Sequence, residues 1–186
     1  MSPRPTPEEA RQVLAEADLL HPREAVDTAL DRMAAAITER LGVSNPLVLG
    51  VMVGGVVPVG CLLPRLDFPL EVDYLHATRY QRGVRGGTLD WRVRPQTPIE
   101  GRAVLVVDDI LDEGVTLTAI LDHCREAGAR EVLCAVLVHK CHDRKPGIGR
   151  ADFTGLEVED RYVFGYGMDY RGYLRNARGI YAVRGL

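Results

Sequence analysis

The stretch Val104-Leu-Val-Val-Asp-Asp-Ile-Leu-Asp-Glu-Gly-Val-Thr116 decides how this chain reads. Its apolar start has no polar alternation, the pattern of a strand covered on both faces in a parallel sheet. The strand runs into two adjacent carboxylates, Asp108 and Asp109, and then through a loop into a helix. Backbone N–H groups from Asp112 to Thr116 can form an anion-binding nest at that helix start, where Gly114 permits close approach and the Thr116 hydroxyl adds a donor. Asp108 and Asp109 suit a different partner, either vicinal sugar hydroxyls or the water shell of a Mg²⁺ ion. Burying them without one is costly. A plainer account has the two acids ending a strand and capping a helix. It leaves unexplained the spacing of two acids, two apolar residues, a third acid, a glycine and a threonine.

Around this stretch, short apolar runs alternate with helical ones. Runs at 47–53, 70–77, 103–107 and 131–139 read as strands, and stretches near 56–66 and from about 116 to 127, with Gly128 after the latter, read as helices. That alternation predicts parallel strands covered on both faces by helices, with ligands at the carboxyl ends of the strands. Thr6 before Pro7, with Glu9 three residues on, is a capping box and predicts a first helix reaching about Leu20. Val26, Leu30, Met33, Ile37 and Leu41 recur at three- and four-residue steps and predict a second helix closed by Gly42 as its C′ residue. Residues 78–90, Thr-Arg-Tyr-Gln-Arg-Gly-Val-Arg-Gly-Gly-Thr-Leu-Asp, are too polar for a core and read as a mobile loop.

Composition narrows the chemistry. A chain of 186 residues with 26% charged and 46% hydrophobic residues has the make-up of one soluble globular domain. Its net charge of −3 supplies no global positive field for nucleic acid, so an anionic ligand must be met locally. Only two serines occur, Ser2 and Ser44, neither in a Gly-x-Ser-x-Gly elbow, which argues against a serine hydrolase. Cys61, Cys124, Cys134 and Cys141 lack Cys-x-x-Cys spacing and read as free thiols of the cytoplasm. Residues 41–64 carry no charge over 24 positions, long enough to cross a bilayer. Their three prolines and five glycines instead suit a buried strand, a tight loop and a short helix. The start, with Pro3, Pro5, Pro7 and Glu8-Glu9, has no signal-peptide pattern.

The 104–116 stretch resembles the signature for 5-phosphoribosyl-1-pyrophosphate (PRPP) of the type I phosphoribosyltransferases. From about residue 47 to residue 183 the chain resembles one branch, the hypoxanthine-guanine phosphoribosyltransferases, in the same order of segments. Met52-Val53-Gly54-Gly55 matches the pyrophosphate loop, Thr78-Arg79-Tyr80 the start of the mobile loop, and Val136-Leu-Val-His-Lys140 the strand whose lysine contacts the purine O6. Asp152-Phe-Thr-Gly-Leu-Glu-Val and Arg161-Tyr-Val-Phe-Gly-Tyr-Gly-Met-Asp-Tyr-Arg-Gly-Tyr-Leu-Arg175 look like the purine-binding and closing segment. The resemblance implies the type I α/β fold, a central parallel sheet flanked by helices. It also implies a single domain over residues 1–186, with a core at about 40–150 and a small purine-binding hood from the N-terminal helices and about 151–186. The implied reaction is purine salvage: hypoxanthine or guanine plus PRPP gives IMP or GMP plus pyrophosphate, with Mg²⁺ as cofactor. No nucleic acid or membrane is implied as a partner, and a homodimer or homotetramer is.

By the same resemblance, Asp112 is the general base for the purine N7 proton, a role that needs hydrogen-bond reach and a suitable pKa. Asp108, Asp109, Asp112, Glu113, Gly114, Val115 and Thr116 bind PRPP, and Val53, Gly54 and Arg175 bind pyrophosphate. Lys140, Tyr162, Val163 and Asp169 form the purine site. Arg79 and Tyr80 belong to the mobile loop. Asp108, Asp109 and Asp169 are metal ligands. Lys140, one of only two lysines with Lys145, can only donate, which suits a 6-oxopurine and disfavours a 6-aminopurine. Tyr162 offers a stacking face and the Val163 backbone reads the base edge.

The chain departs from the family pattern at Val53, where many relatives carry lysine, at Glu113, where Thr or Ser is usual, and at Arg79, which replaces serine. Glu113 is expected to point away from the 5′-phosphate. Two other readings stand beside the enzyme. One is a non-catalytic, nucleotide-sensing regulator on the same fold that binds RNA through Arg82, Arg85, Arg92 and Arg94. The other is a zinc site at His139, Cys141 and His142, which lacks a fourth ligand and divides its residues between strand faces.

Overall fold

A computed structural model describes residues 4–79 and 89–185. Helix α1 (Pro7–Glu16) starts with the capping box in place: Thr6 Oγ1 accepts from the Glu9 amide, and the Glu9 carboxylate accepts from the Thr6 amide. It does not reach Leu20. The chain becomes extended at Ala17, and Asp18–Pro22 form strand β1, antiparallel to the last strand, β9 (Gly179–Ala182). Because α1 buries only Ala10, it gains little from tertiary packing, and long-range strand pairing takes the following residues. In α2 (Arg23–Leu41) all five residues of the predicted stripe are buried. Gly42 ends that helix in a right-handed conformation, donating its N–H to the Thr38 carbonyl, and is not the left-handed C′ residue expected.

The uncharged segment resolves as β2 (Leu47–Val51), a tight loop with a cis Met52–Val53 peptide, and α3 (Val56–Leu62) followed by a short 3₁₀ turn. Strands β3 (Glu71–Arg79), β4 (Leu89–Val93), β5 (Ala103–Leu111), β6 (Glu131–Cys141) and β7 (Phe153–Glu159) complete a six-stranded sheet ordered β4-β3-β2-β5-β6-β7. All of its pairings are parallel except that of edge strand β4 with β3. The polar 78–90 segment is therefore partly strand: Thr78 and Arg79 pair with Asp90 and Leu89. An edge strand tolerates such polarity because one side of it meets solvent. Tyr80 lies outside the described residues.

Helix α4 (Val115–Glu126) follows β5 and covers one sheet face with Leu117, Ile120, Leu121 and Cys124. Helices α2 and α3 cover the other face. On that side sits a second, three-stranded antiparallel sheet ordered β1-β9-β8, with β8 at Val163–Phe164. Its Val163, Ile180 and Ala182 join the same buried cluster as α2. The direction of strand succession reverses between β2 and β5, and at such a switch point the loops leaving adjacent strand ends diverge and leave a crevice. No helix among the described residues is long and apolar enough to cross a membrane.

Candidate active site

A cleft of about 610 Å³ opens at this switch point, over the carboxyl ends of β2, β5 and β6. Met52 and Gly54 form one side, residues 108–117 the floor, and Lys140, Tyr162, Val163, Met168, Asp169 and Arg175 the far wall. Val53 is half exposed and is not part of the wall. Arg79 ends β3, and Tyr80 lies outside the described residues.

Asp108 and Asp109 arrive side by side because β5 continues through them. Asp109 is 8% exposed. Each carboxylate commits one oxygen to the next backbone amide, Asp108 Oδ1 to Asp109 N at 2.9 Å and Asp109 Oδ1 to Ile110 N at 2.8 Å. Loss of water pushes both pKa values up, and the Asp109 charge raises Asp108 further. Gly54 lies so close that a Cβ there would run into the Asp109 carboxylate.

Beyond β5 the chain turns through Asp112, Glu113 and Gly114. Gly114 takes a left-handed conformation (φ +75°) against the Ile148 carbonyl and leads into α4 without a side-chain cap, so the first amides of α4 have no side-chain partner from that position. Val115 and Thr116, which carry two of these amides, line the cleft. Glu113 is exposed at the cleft, and its carbonyl accepts from Gly147 N at 3.1 Å.

The Asp112 carboxylate meets a different partner with each of its two oxygens. Lys140 Nζ donates to its Oδ2 at 2.9 Å, and His142 Nε2 lies 2.6 Å from its Oδ1. Lys145 Nζ donates to the Asp112 and Lys140 carbonyls at 2.7 and 2.9 Å, so both lysines of the chain converge here. Burial alone would raise the Asp112 pKa, but hydrogen bonds from Lys140 and His142, with the Lys140 charge, hold it below the ordinary carboxylate value. Lys140 thus bonds Asp112 directly. His142, a zinc-ligand candidate by sequence, is instead a partner of Asp112. Among the described residues no group of three or more His, Cys, Asp or Glu side chains converges on a metal site.

On the far wall, Tyr162 is 39% exposed, and its ring meets Tyr170 edge-on at 5.8 Å. Arg175 joins three elements: it donates to the Gly167 carbonyl, pairs with Asp169 Oδ1 at 2.5 Å, and reaches Asp109 Oδ2 at 3.9 Å. Asp169 also accepts from the Gly172 amide at 2.6 Å. Its carboxylate is therefore occupied holding Arg175 and the turn. The donor chemistry of Asp108 and Asp109 fits a hard cation such as Mg²⁺: paired oxygens, short of water, whose mutual repulsion a divalent ion relieves. Since among the described residues no third His, Cys, Asp or Glu side chain converges there, the remaining ligands would come from substrate and water.

A phosphoribosyl transferase domain matches residues 17–171. The hypoxanthine-guanine phosphoribosyltransferase of Bacillus subtilis (strain 168) is 32% identical over 154 residues, covering 82% of this chain and 85% of that protein. The hypoxanthine-guanine-xanthine phosphoribosyltransferase of Tritrichomonas foetus is 33% identical over 158 residues, covering 85% and 86%. Among solved structures, a hypoxanthine-guanine-xanthine phosphoribosyltransferase aligns with a TM-score of 0.83 at 30% identity over 91% of this chain and 98% of that one. A hypoxanthine phosphoribosyltransferase from Staphylococcus aureus aligns at 0.86 and 25% identity, over 92% and 94%.

Proposed function

The chain belongs to the phosphoribosyltransferase family, in its hypoxanthine-guanine branch, and on that premise we propose that it joins hypoxanthine or guanine to the phosphoribosyl group of PRPP, giving IMP or GMP and pyrophosphate. The observation that carries this reading is the meeting, in one cleft, of the acid pair Asp108–Asp109, the amide-rich start of α4, and Asp112 beside Lys140.

The 5′-phosphate sits in the nest from Asp112 to Thr116, where backbone amides and the helix dipole meet its charge. Asp108 and Asp109 hold the ribose hydroxyls. Bound by these two carboxylates, Mg²⁺ would supply charge neutralisation for the departing pyrophosphate. Arg175, after giving up Asp169, places its fork on the same leaving group. Tyr162 stacks on the purine and Lys140 donates to its 6-oxo group. The purine N9 lone pair bonds to C1′ as the bond from C1′ to the pyrophosphate oxygen breaks, and the N7 proton passes to Asp112. Lys140 has three N–H donors, one of them on Asp112 Oδ2. When it turns to the base, Asp112 loses its nearest cation and becomes more basic as the substrate arrives.

The three-stranded sheet acts as the hood over the purine. The reaction belongs in the cytoplasm, with no nucleic-acid or membrane partner. Val53, Val56, Val72 and Tyr74, each about half exposed, support burial in a homodimer or homotetramer. Sedimentation equilibrium of the full chain checks this, with a mass of two or four times 20.5 kDa expected.

Purified protein assayed with PRPP, Mg²⁺ and each of hypoxanthine, guanine, xanthine and adenine tests the reaction. Turnover of 6-oxopurines is expected, falling by roughly a hundredfold or more in Asp112→Asn. Folded protein that binds PRPP yet turns over no purine would overturn this reading and leave the regulatory one.

A further inference from the structure

His142 has no role in the reaction described so far, yet its side chain is only 4% exposed and is spent on Asp112. Its other ring nitrogen decides how. The Arg144 amide donates to His142 Nδ1 at 3.1 Å, and a backbone N–H cannot accept, so Nδ1 must offer its lone pair. A neutral imidazole with Nδ1 as acceptor carries its proton on Nε2, the nitrogen 2.6 Å from Asp112 Oδ1. The pair is therefore oriented: Arg144 amide to His142 Nδ1, then His142 Nε2–H to Asp112 Oδ1. The loop bearing His142 is in turn fastened to the phosphate loop, through Lys145 Nζ on the Asp112 carbonyl and Gly147 N on the Glu113 carbonyl.

We propose that His142 is a positioning residue for the base: it holds Asp112 through Oδ1 and leaves Oδ2 as the oxygen that takes the purine N7 proton. This rests on the assignment of Asp112 as base. The two donors on Asp112 differ in kind. Lys140 sits at the end of a flexible stem and has a second destination in the purine, whereas the imidazole is locked by the Arg144 amide. When Lys140 leaves Oδ2, His142 remains and stops the carboxylate from rotating away from the reacting base. The proton balance is simple. The N7 proton moves to Oδ2 as N9 bonds to C1′ and pyrophosphate departs with its electron pair, while the Nε2 proton of His142 stays where it is.

Three variants test this in the full chain. His142→Phe removes the donor and is expected to lower kcat for hypoxanthine or guanine by about ten- to a hundredfold, the effect of one hydrogen bond to a charged group, with KM for PRPP nearly unchanged. His142→Gln, whose side-chain amide can donate to the same oxygen, is expected to recover most of the loss. In the Asp112→Asn background, His142→Phe is expected to add nothing. Unchanged kcat in a folded His142→Phe protein, or an equal further loss in the Asp112→Asn background, would overturn the role. If Asp112→Asn itself keeps full turnover, the base assignment fails, and this proposal with it. Should His142→Phe not fold, ¹⁵N NMR of the wild-type imidazole decides: a protonated Nε2 with a slowly exchanging N–H that is lost in Asp112→Ala is expected, and a proton on Nδ1 would refute the pairing.

Discussion

At Asp108 the fold sets one carboxylate beside another in a cleft short of water, and both pKa values rise for that reason, Asp108 also because of the Asp109 charge. A carboxyl whose folded-state pKa exceeds its unfolded value weakens the fold once it ionises. That cost is complete above the folded pKa and fades as the pH falls toward the unfolded value. Asp108→Asn keeps an oxygen for the Asp109 amide while removing the charge. The variant is expected to melt a few degrees higher than the wild type at neutral pH, since each kcal/mol is worth about 2–4 °C in a domain of this size. The gain should shrink in acid, and PRPP binding should be lost. Thermal melts at several pH values, with a PRPP titration, check all three. The stability given up at this residue is what leaves its charge available for a ligand.

Among the elements, the return from edge strand β4 depends on a carboxylate of β3. Asp73 accepts from its neighbour Tyr74 N at 2.7 Å, and across the gap from Gln96 N and Thr97 N at 2.7 and 2.8 Å. Burial works against its ionisation, but the backbone amides outweigh it and hold its pKa below the usual 3.8. A depressed carboxylate contributes stability that is present above its unfolded pKa and lost as pH falls through the folded one. Asp73→Ala is expected to cost about 1–3 kcal/mol in urea unfolding at neutral pH, the penalty for stranding such amides. Hydrogen exchange at Gln96 and Thr97 should quicken, and the variant's deficit should narrow in strong acid. Trp91, the only tryptophan, lies on β4 against His123 at 4.6 Å, so its fluorescence reports the same region.

For the molecule as a whole, the two ends of the chain are joined in the small sheet. Arg161 donates to Asp18 Oδ2 at 2.6 Å and to the Val183 carbonyl at 3.2 Å, tying the β1 strand to the C-terminal segment next to Tyr162. Because Tyr162 and Val163 line the cleft from that sheet, loosening the tie should be felt as weaker purine binding rather than as a slower chemical step. Arg161→Met is expected to raise KM for the purine several-fold with kcat largely kept, and to speed amide exchange in β1 ahead of the six-stranded sheet. Steady-state kinetics and hydrogen exchange check the two effects. Equal exchange in both sheets would count against a separately loosened hood.

The α/β class, the buried α2 stripe, the free cysteines and the strand-to-helix passage at 104–116 were all legible in the chain, because burial on two faces, a 3.6-residue period and a glycine in a tight loop are local patterns. The chain did not reveal that residues 18–22 leave α1 for a strand, that 78–79 extend β3, or that Val53 stands half exposed. It also hid the partners of its own motif: Lys140 and His142 lie 28 and 30 positions from Asp112, and Arg175 spans Asp109 and Asp169. Local sequence sets which backbone states are favourable and which side chains can carry charge. Which of those charges face one another is decided only when distant segments pack into a common core, because burial and strand pairing act between parts of the chain that no local pattern connects.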